Sequence, residues 1–265
     1  MELHDAGRGE HRSLRDAWEA RAPDWVRWAR SPRLDNDFWG FHLPEFLRFV
    51  PAAGRLTVDV GCGEGRLGRV LARSGHRVVG FDASMTSVRA AATHPERHRV
   101  AVADAVRLPL PDHAADLAIA FMSLHDFDDV RAAAAEVARV LAPDGRFCVA
   151  LLHPAVSARM VGGYATEQRY SFTVENAGLQ MTYEGTHRPL AAYFEALETA
   201  GFLVEALREP VVVGDDGSPH VNFLHLRGRL LTPRRQPGPS RRLADASCVD
   251  ASPSADGRHG CAGWS

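Results

Sequence analysis

The chain has 265 residues, 45% of them hydrophobic and 24% charged, enough to bury a full core as one domain with extensions. Its net charge is −2 and no face-wide basic run occurs before residue 230, so no nucleic-acid partner is expected. All 31 basic residues are arginine, a bias that carries no functional reading. No apolar run is long enough to span a bilayer, and the polar N-terminus lacks a signal-like apolar segment, so no membrane contact and a cytoplasmic location are expected. The four cysteines (Cys62, Cys148, Cys248 and Cys261) never stand at C-x-x-C spacing, which argues against zinc or a redox pair. Two reduced thiols in the fold and two in a loose tail are the simplest reading, and no metal site is expected.

Residues 1–11 are polar and expected to be flexible. From Arg12 to Arg30, apolar residues including Leu14, Trp18, Trp25 and Trp28 recur at helical spacing, with Pro23 expected to break or restart the helix. Residues 31–37 read as a turn, and Phe38 to Val50 as a second helix or a pair of turns. Leu56 to Val60 reads as a buried strand. Glycines at 61, 63 and 65 follow it, then Leu67, Val70 and Leu71 at helical spacing as far as Gly75. Further strands are expected at 77–82, 99–104, 116–122 and 146–152. Helices are expected from Ser84 to about Thr93 and at 128–141, with a turn at 142–145.

This alternation implies parallel βαβ units in an open α/β sheet. The rhythm changes at 153–187, where strand-like pieces near 169–174 and 179–184 flank Asn176-Ala177-Gly178, as in a hairpin or Ω-like insertion. A helix at 189–200, a strand at 202–207, a turn at 214–217 and a strand at 221–227 complete the domain. The aperiodic residues 233–265 are expected to be disordered. The expected organisation is thus one domain over 12–232, with its core at 55–155 and an insertion at 153–187.

The strand–glycine–helix unit is a ligand-binding turn, because its glycines admit φ > 0 and the helix start offers unpaired N–H groups. Two patterns overlap on it. Gly63, Gly65 and Gly68 fit the dinucleotide pattern G-x-G-x-x-G, with Asp82 at the distance of a ribose-binding acid. Asp59, Gly61, Gly63 and Gly65 fit Asp-x-Gly-x-Gly-x-Gly. Three acids stand at or near the carboxyl ends of successive strands: Asp59, Asp82 and Asp104. The dinucleotide pattern leaves Asp59 and Asp104 without a task.

Taken together, Val58 to Gly65, Gly80-Phe81-Asp82-Ala83-Ser84, Val102-Ala103-Asp104-Ala105, Phe121-Met122-Ser123-Leu124-His125-Asp126 and Leu141 to Arg146 resemble the class I S-adenosylmethionine (SAM)-dependent methyltransferases. The likeness is to the methyltransferase-11 type that acts on small molecules. It implies a doubly wound, Rossmann-like, mostly parallel sheet of about seven strands, with N-terminal helices and the late insertion forming a lid. It further implies SAM as cofactor, with Gly61, Cys62 and Gly63 at its methionine part and Asp59 supporting the loop. Asp82 with Ala83 would stand at the ribose hydroxyls, Asp104 with Ala105 at the adenine, and Phe121 and Met122 at the sulfonium.

The function implied is methyl transfer to a small-molecule acceptor at O, N or C. The alternatives are an NAD(P)-dependent oxidoreductase and a non-catalytic SAM-binding protein. A base for the acceptor suits histidine. His125, after the fourth strand, is the first candidate and His153, after the fifth, the second. Trp39, His42, Tyr164, Arg169, Tyr170 and His187 are the candidates for the acceptor side and its lid. The acceptor and the oligomeric state stay open.

Overall fold

The computed structural model describes residues 13–214 and 217–232. The expected flexible start and disordered tail, with Cys248 and Cys261, lie outside the described residues. In chain order the chain forms α1 (Leu14–Ala29), a π-helical turn (Phe38–His42), α2 (Leu43–Leu47), β1 (Thr57–Val60), α3 (Arg66–Arg73), β2 (Val78–Asp82), α4 (Met85–Thr93) and β3 (Arg99–Val102). There follow β4 (Ala115–Phe121), α5 (Val130–Val140), β5 (Leu141–Leu152), α6 (Pro154–Val161), β6 (Gln168–Asn176), β7 (Leu179–His187), α7 (Leu190–Thr199), β8 (Phe202–Arg208), β9 (Val211–Val213), β10 (Pro219–Val221) and β11 (Phe223–Leu230).

Seven strands form one sheet in the order β3-β2-β1-β4-β5-β11-β8. β1 to β5 pair in parallel, and β11 lies antiparallel between β5 and β8. The sheet is buried on both faces, and period-2 alternation sorts its side chains. Ala118, Ala120, Phe147, Val149, Leu151, Leu224 and Leu226 pack toward α5 and α7. Leu117, Ile119, Phe121, Cys148 and Ala150 pack toward Phe38, Phe46, Leu67 and Leu71. β1 lies between β2 and β4, so the chain leaves β1 to one side and returns on the other. The loops after β1 and β4 therefore diverge and leave a crevice at the carboxyl ends of the strands.

Several expectations are corrected. α1 runs unbroken through Pro23, although a proline there cannot donate to the carbonyl one turn earlier. Tertiary contacts hold the helix: Trp18 and Trp25 meet Tyr183 edge to face, and the Trp18 indole donates to the Glu184 carbonyl at 3.1 Å. α6 interrupts the insertion where the sequence signalled only loop. Its start is His153-Pro154, with the His153 ring accepting from the Ala155 N–H, and its end is Gly162 at φ 72°. The rest of the insertion is a regular hairpin. Ala177 and Gly178, both at positive φ, make its two-residue turn, which sets the register Asn176–Leu179. Residues 142–145 do loop out as expected, because β5 pairs with β4 at Leu141 and resumes only at Arg146.

One buried charge cluster ties the glycine turn to α1. The Glu64 side chain has no exposed surface and accepts two bonds from Arg69, at 2.6 and 2.9 Å, and one from Arg30 at 3.0 Å. Arg69 also donates to the Glu64 carbonyl at 2.7 Å. Removing one partner of a buried ion pair leaves the other unpaired, at a cost of about 3–5 kcal/mol. Glu64→Ala is expected to lose about that much stability in urea unfolding. An unchanged midpoint would show that the cluster does not hold the turn.

Candidate functional site

The crevice between the diverging loops is a cavity of about 960 Å³, near the top of the range of about 300–1,000 Å³ usual for ligand pockets. Its floor is the glycine turn. Gly61 and Cys62 both donate to the Phe81 carbonyl, at 2.8 and 3.0 Å, which seats the turn on the end of β2. Gly61 and Gly63 have φ of 73° and 54°, and both line the cavity. A Cβ at Gly61 would stand 2.5 Å from Ser123 Cβ, and one at Gly63 would stand 3.0 Å from the Trp25 indole nitrogen. Glycine is needed at both. Gly65 and Gly68 do not line the cavity. A Cβ at Gly68 would lie 2.3 Å from His98, so Gly68 serves helix–sheet packing.

The three strand-end acids converge on this cavity. Asp82 accepts from the Gly63 N–H at 2.7 Å and from the Ser84 N–H at 2.8 Å. Burial, the larger influence, still holds its carboxyl above the usual range. Asp59 is 1% exposed, and its Oδ2 has no hydrogen-bond partner. Burial, with the neighbouring Asp82 charge, pushes it up to about 7. Asp104 is half-exposed, accepts from the Val106 N–H at 3.1 Å and faces Arg15 at 3.8 Å. Cys62, Ala83, Ala105, Phe121 and Met122 line the same cavity. Ser123 closes its far side by donating to the Val60 carbonyl at 2.7 Å.

The acceptor-side candidates divide. His125, Tyr170 and His42 line the cavity. His125 is 7% exposed, its Nδ1 is unpartnered, and burial lowers it to about 3, with the Arg188 charge adding to the effect. His42 meets His225 with Nε2 atoms 3.1 Å apart. Burial lowers both, His225 to about 4, so the pair is uncharged and one ring donates to the other.

His153, Trp39, Tyr164, Arg169 and His187 lie outside the cavity lining. His153 caps α6 and binds Glu209 at 3.0 Å. Arg169 pairs with Asp128. His187 is fully buried between the Ser157 hydroxyl at 2.8 Å and the Tyr164 carbonyl at 3.0 Å, and the Tyr164 hydroxyl accepts from the Leu190 N–H. Trp39 sits behind Phe38, facing an outer hollow with Arg30, Arg69 and Arg73. His153, Tyr164, Arg169 and His187 thus serve contacts among α6, the hairpin, the loop before α5 and α7.

Sequence reasoning missed Glu19, which lies outside the cavity lining but anchors α1 beside it. Its carboxylate accepts from the Ser84 and Thr86 hydroxyls and so holds α1 against the start of α4. It missed Asp126 as well, which lines the cavity beside His125. No spacing rule marks either residue, because each acts across the fold.

Comparison with known proteins places residues 58–149 in a family described as "Methyltransferase domain". A demethylmenaquinone methyltransferase of Corynebacterium kroppenstedtii is 35% identical over 105 residues, 38% of this chain and 44% of that protein. A ubiquinone biosynthesis O-methyltransferase of Ralstonia nicotianae is 30% identical over 167 residues, 61% of this chain and 66% of that protein. A probable SAM-dependent methyltransferase of Mycolicibacterium smegmatis is 29% identical over 58% of this chain and 54% of its own length. The chain thus spans about half the length of the first curated relatives it matches. A SAM-dependent methyltransferase structure from Thermotoga maritima superposes with TM-score 0.58 at 16% identity, over 82% of this chain and 99% of that one. One from Mesorhizobium loti gives 0.53 at 24%, over 70% and 96%. At these identities the structures show the same fold.

The Asp59 carboxyl binds its proton more tightly in the folded chain than at its ordinary value of 3.8. Its contribution to stability is therefore full below about pH 4 and is lost as pH rises through about 7. Thermal melts of the parent should accordingly fall relative to Asp59→Asn between those limits. A constant difference across that range would show that Asp59 does not titrate there.

Proposed function

Residues 58–149 form a class I SAM-dependent methyltransferase domain, and on that premise we propose that the chain transfers a methyl group from SAM to a small-molecule acceptor. One observation carries the reading: Asp59, Asp82 and Asp104, from the ends of three successive strands, line one cavity with Gly61 and Gly63. The residues present fit the cofactor. Asp59 has an unpartnered buried oxygen. Each Asp82 oxygen accepts one N–H and retains a lone pair for a ribose hydroxyl. Asp104 and Ala105 continue the lining toward the adenine position, and Phe121 and Met122 toward the sulfonium.

When bound, SAM supplies an electrophilic methyl group that an acceptor takes by direct displacement. The chain's part is to align and to exclude water, and positioning alone can contribute about 7–11 kcal/mol to such a step. Trp18 and Trp25 of α1 and Phe172, Tyr183 of the hairpin line the roof. We read α1 and residues 153–187 as the lid that keeps the reaction dry. His125 stays a candidate contact for the acceptor, whereas His153 is a helix cap. Gly68, on which the dinucleotide alternative depended, is packed under His98. We read the protein as cytoplasmic and its partner as a small molecule; no described helix is long and apolar enough to cross a membrane.

Calorimetric titration tests the reading. The parent should bind SAM and give no heat with NAD or NADP. Asp82→Ala should weaken SAM by about 10- to 100-fold, the worth of hydrogen bonds to a charged group. Equal affinities would remove Asp82 from the site, and a parent that does not bind SAM would remove the proposal.

A further inference from the structure

Beyond Phe121 the cavity has features that cofactor binding leaves unexplained. Its walls are aromatic, with Trp25, Phe38, Tyr170, Phe172, Tyr183 and Phe223 all in the lining. Phe172 stacks on Tyr183 at 5.0 Å and 11°, while Trp25 meets Tyr183 edge-on at 6.1 Å. Among these rings stand His125 and Asp126, from the turn after β4. A Cβ at Gly185 of β7 would lie 2.5 Å from the Tyr170 hydroxyl and 3.0 Å from Asp126 Oδ1, so the glycine lets these two groups converge. His125 Nε2 lies 3.5 Å from the same Oδ1. Arg66, the guanidinium nearest these rings, lies over Phe38 and Trp25 and is already bound to Asp35 at 2.5 Å.

Building on the methyltransferase reading, we propose that this half of the cavity seats a planar aromatic acceptor bearing a hydroxyl, and that Asp126 receives the proton of that hydroxyl. A flat ring matches the edge-to-face and stacked surfaces, which favour another aromatic face over an aliphatic chain. In the transfer the acceptor oxygen forms an O–CH₃ bond. The S–CH₃ bond breaks with its electron pair left on sulfur, and the O–H proton passes to an Asp126 carboxylate oxygen. The products are a methyl ether, S-adenosylhomocysteine and a protonated Asp126.

The environment divides the roles of the two adjacent residues. Asp126 is faced by His125 on its own turn, Arg169 and Tyr170 of β6, Arg188 after β7, Tyr193 of α7 and Asp82 of β2. Burial, helped by the Asp82 charge, raises its carboxyl well above the ordinary range, against the pull of Arg188 and Arg169. Arg188 is held by Glu167 at 3.3 Å and by the Phe127 carbonyl at 2.9 Å, and its charge favours the ionised form of Asp126. His125, lowered to about 3, is a poor proton acceptor beside a raised carboxylate. Asp126 must be ionised to act, so transfer increases with pH through its raised value and then levels.

The test uses the full chain with SAM and two un-ionised phenols, catechol and 1-naphthol, with methyl ether formation read by mass spectrometry. The parent should methylate at least one of them, faster as pH rises. Asp126→Asn should lower the rate by about 10²- to 10⁴-fold, the usual worth of a general base, and flatten the pH limb. Asp126→Glu should recover part of both. S-adenosylhomocysteine affinity by calorimetry should be the same in parent and Asp126→Asn, which shows that the variant keeps its fold. Transfer to neither phenol by a parent that binds S-adenosylhomocysteine overturns this proposal alone. So does an Asp126→Asn variant with parental rate and pH limb. A parent that binds no S-adenosylhomocysteine removes the methyltransferase reading and this proposal with it.

Discussion

The site depends on one fully buried carboxylate. Glu64 stands inside the glycine turn and accepts from Arg69 of α3 and from Arg30 at the end of α1. The turn is the floor of the cavity and α1 part of its roof, so one ionic cluster fixes both. A glycine-rich turn has little side-chain packing to hold its shape. Here shape comes from charge–charge hydrogen bonds in a site where water does not compete, and from the two N–H bonds of Gly61 and Cys62 to Phe81.

Within that frame the cavity has an uneven electrostatic character. Asp59, Asp82 and Asp126 are all raised, chiefly by burial, while His42, His125 and His225 are lowered by the same cause. Burial disfavours charge of either sign. Three carboxyls in such a place are relieved by a ligand that brings positive charge, and a sulfonium is one.

The roof shows how distant segments cooperate. Glu19 grips the Ser84 and Thr86 hydroxyls, Trp18 donates to Glu184, and Asp128 accepts from the Leu14 N–H at 3.1 Å. α1 therefore touches the elements after β2, after β4 and the hairpin at once. Against such anchoring the single hydrogen bond lost at Pro23 weighs little, and the helix continues.

The amino-acid order by itself determined the sheet, the glycine turn and the strand-end acids. Those signals are local: the apolar run Leu117 to Phe121, glycines at 61 and 63, a serine cap at Ser84, and an acid at or near the end of each of the first three strands. The family likeness rests on the same run and covers the half of the cavity they build. The rest of the lining was only partly legible: of the candidates His42, His125 and Tyr170 line the cavity, whereas His153, Trp39, Tyr164, Arg169 and His187 do not. A histidine reads the same in sequence whether it faces a cavity or caps a helix. Only the tertiary structure decided that His153 is spent on α6 and that Asp126 meets Tyr170 over Gly185. The reason is physical: a side chain's role there is set by burial and by partners from β4, the hairpin and α7, which packing alone brings together.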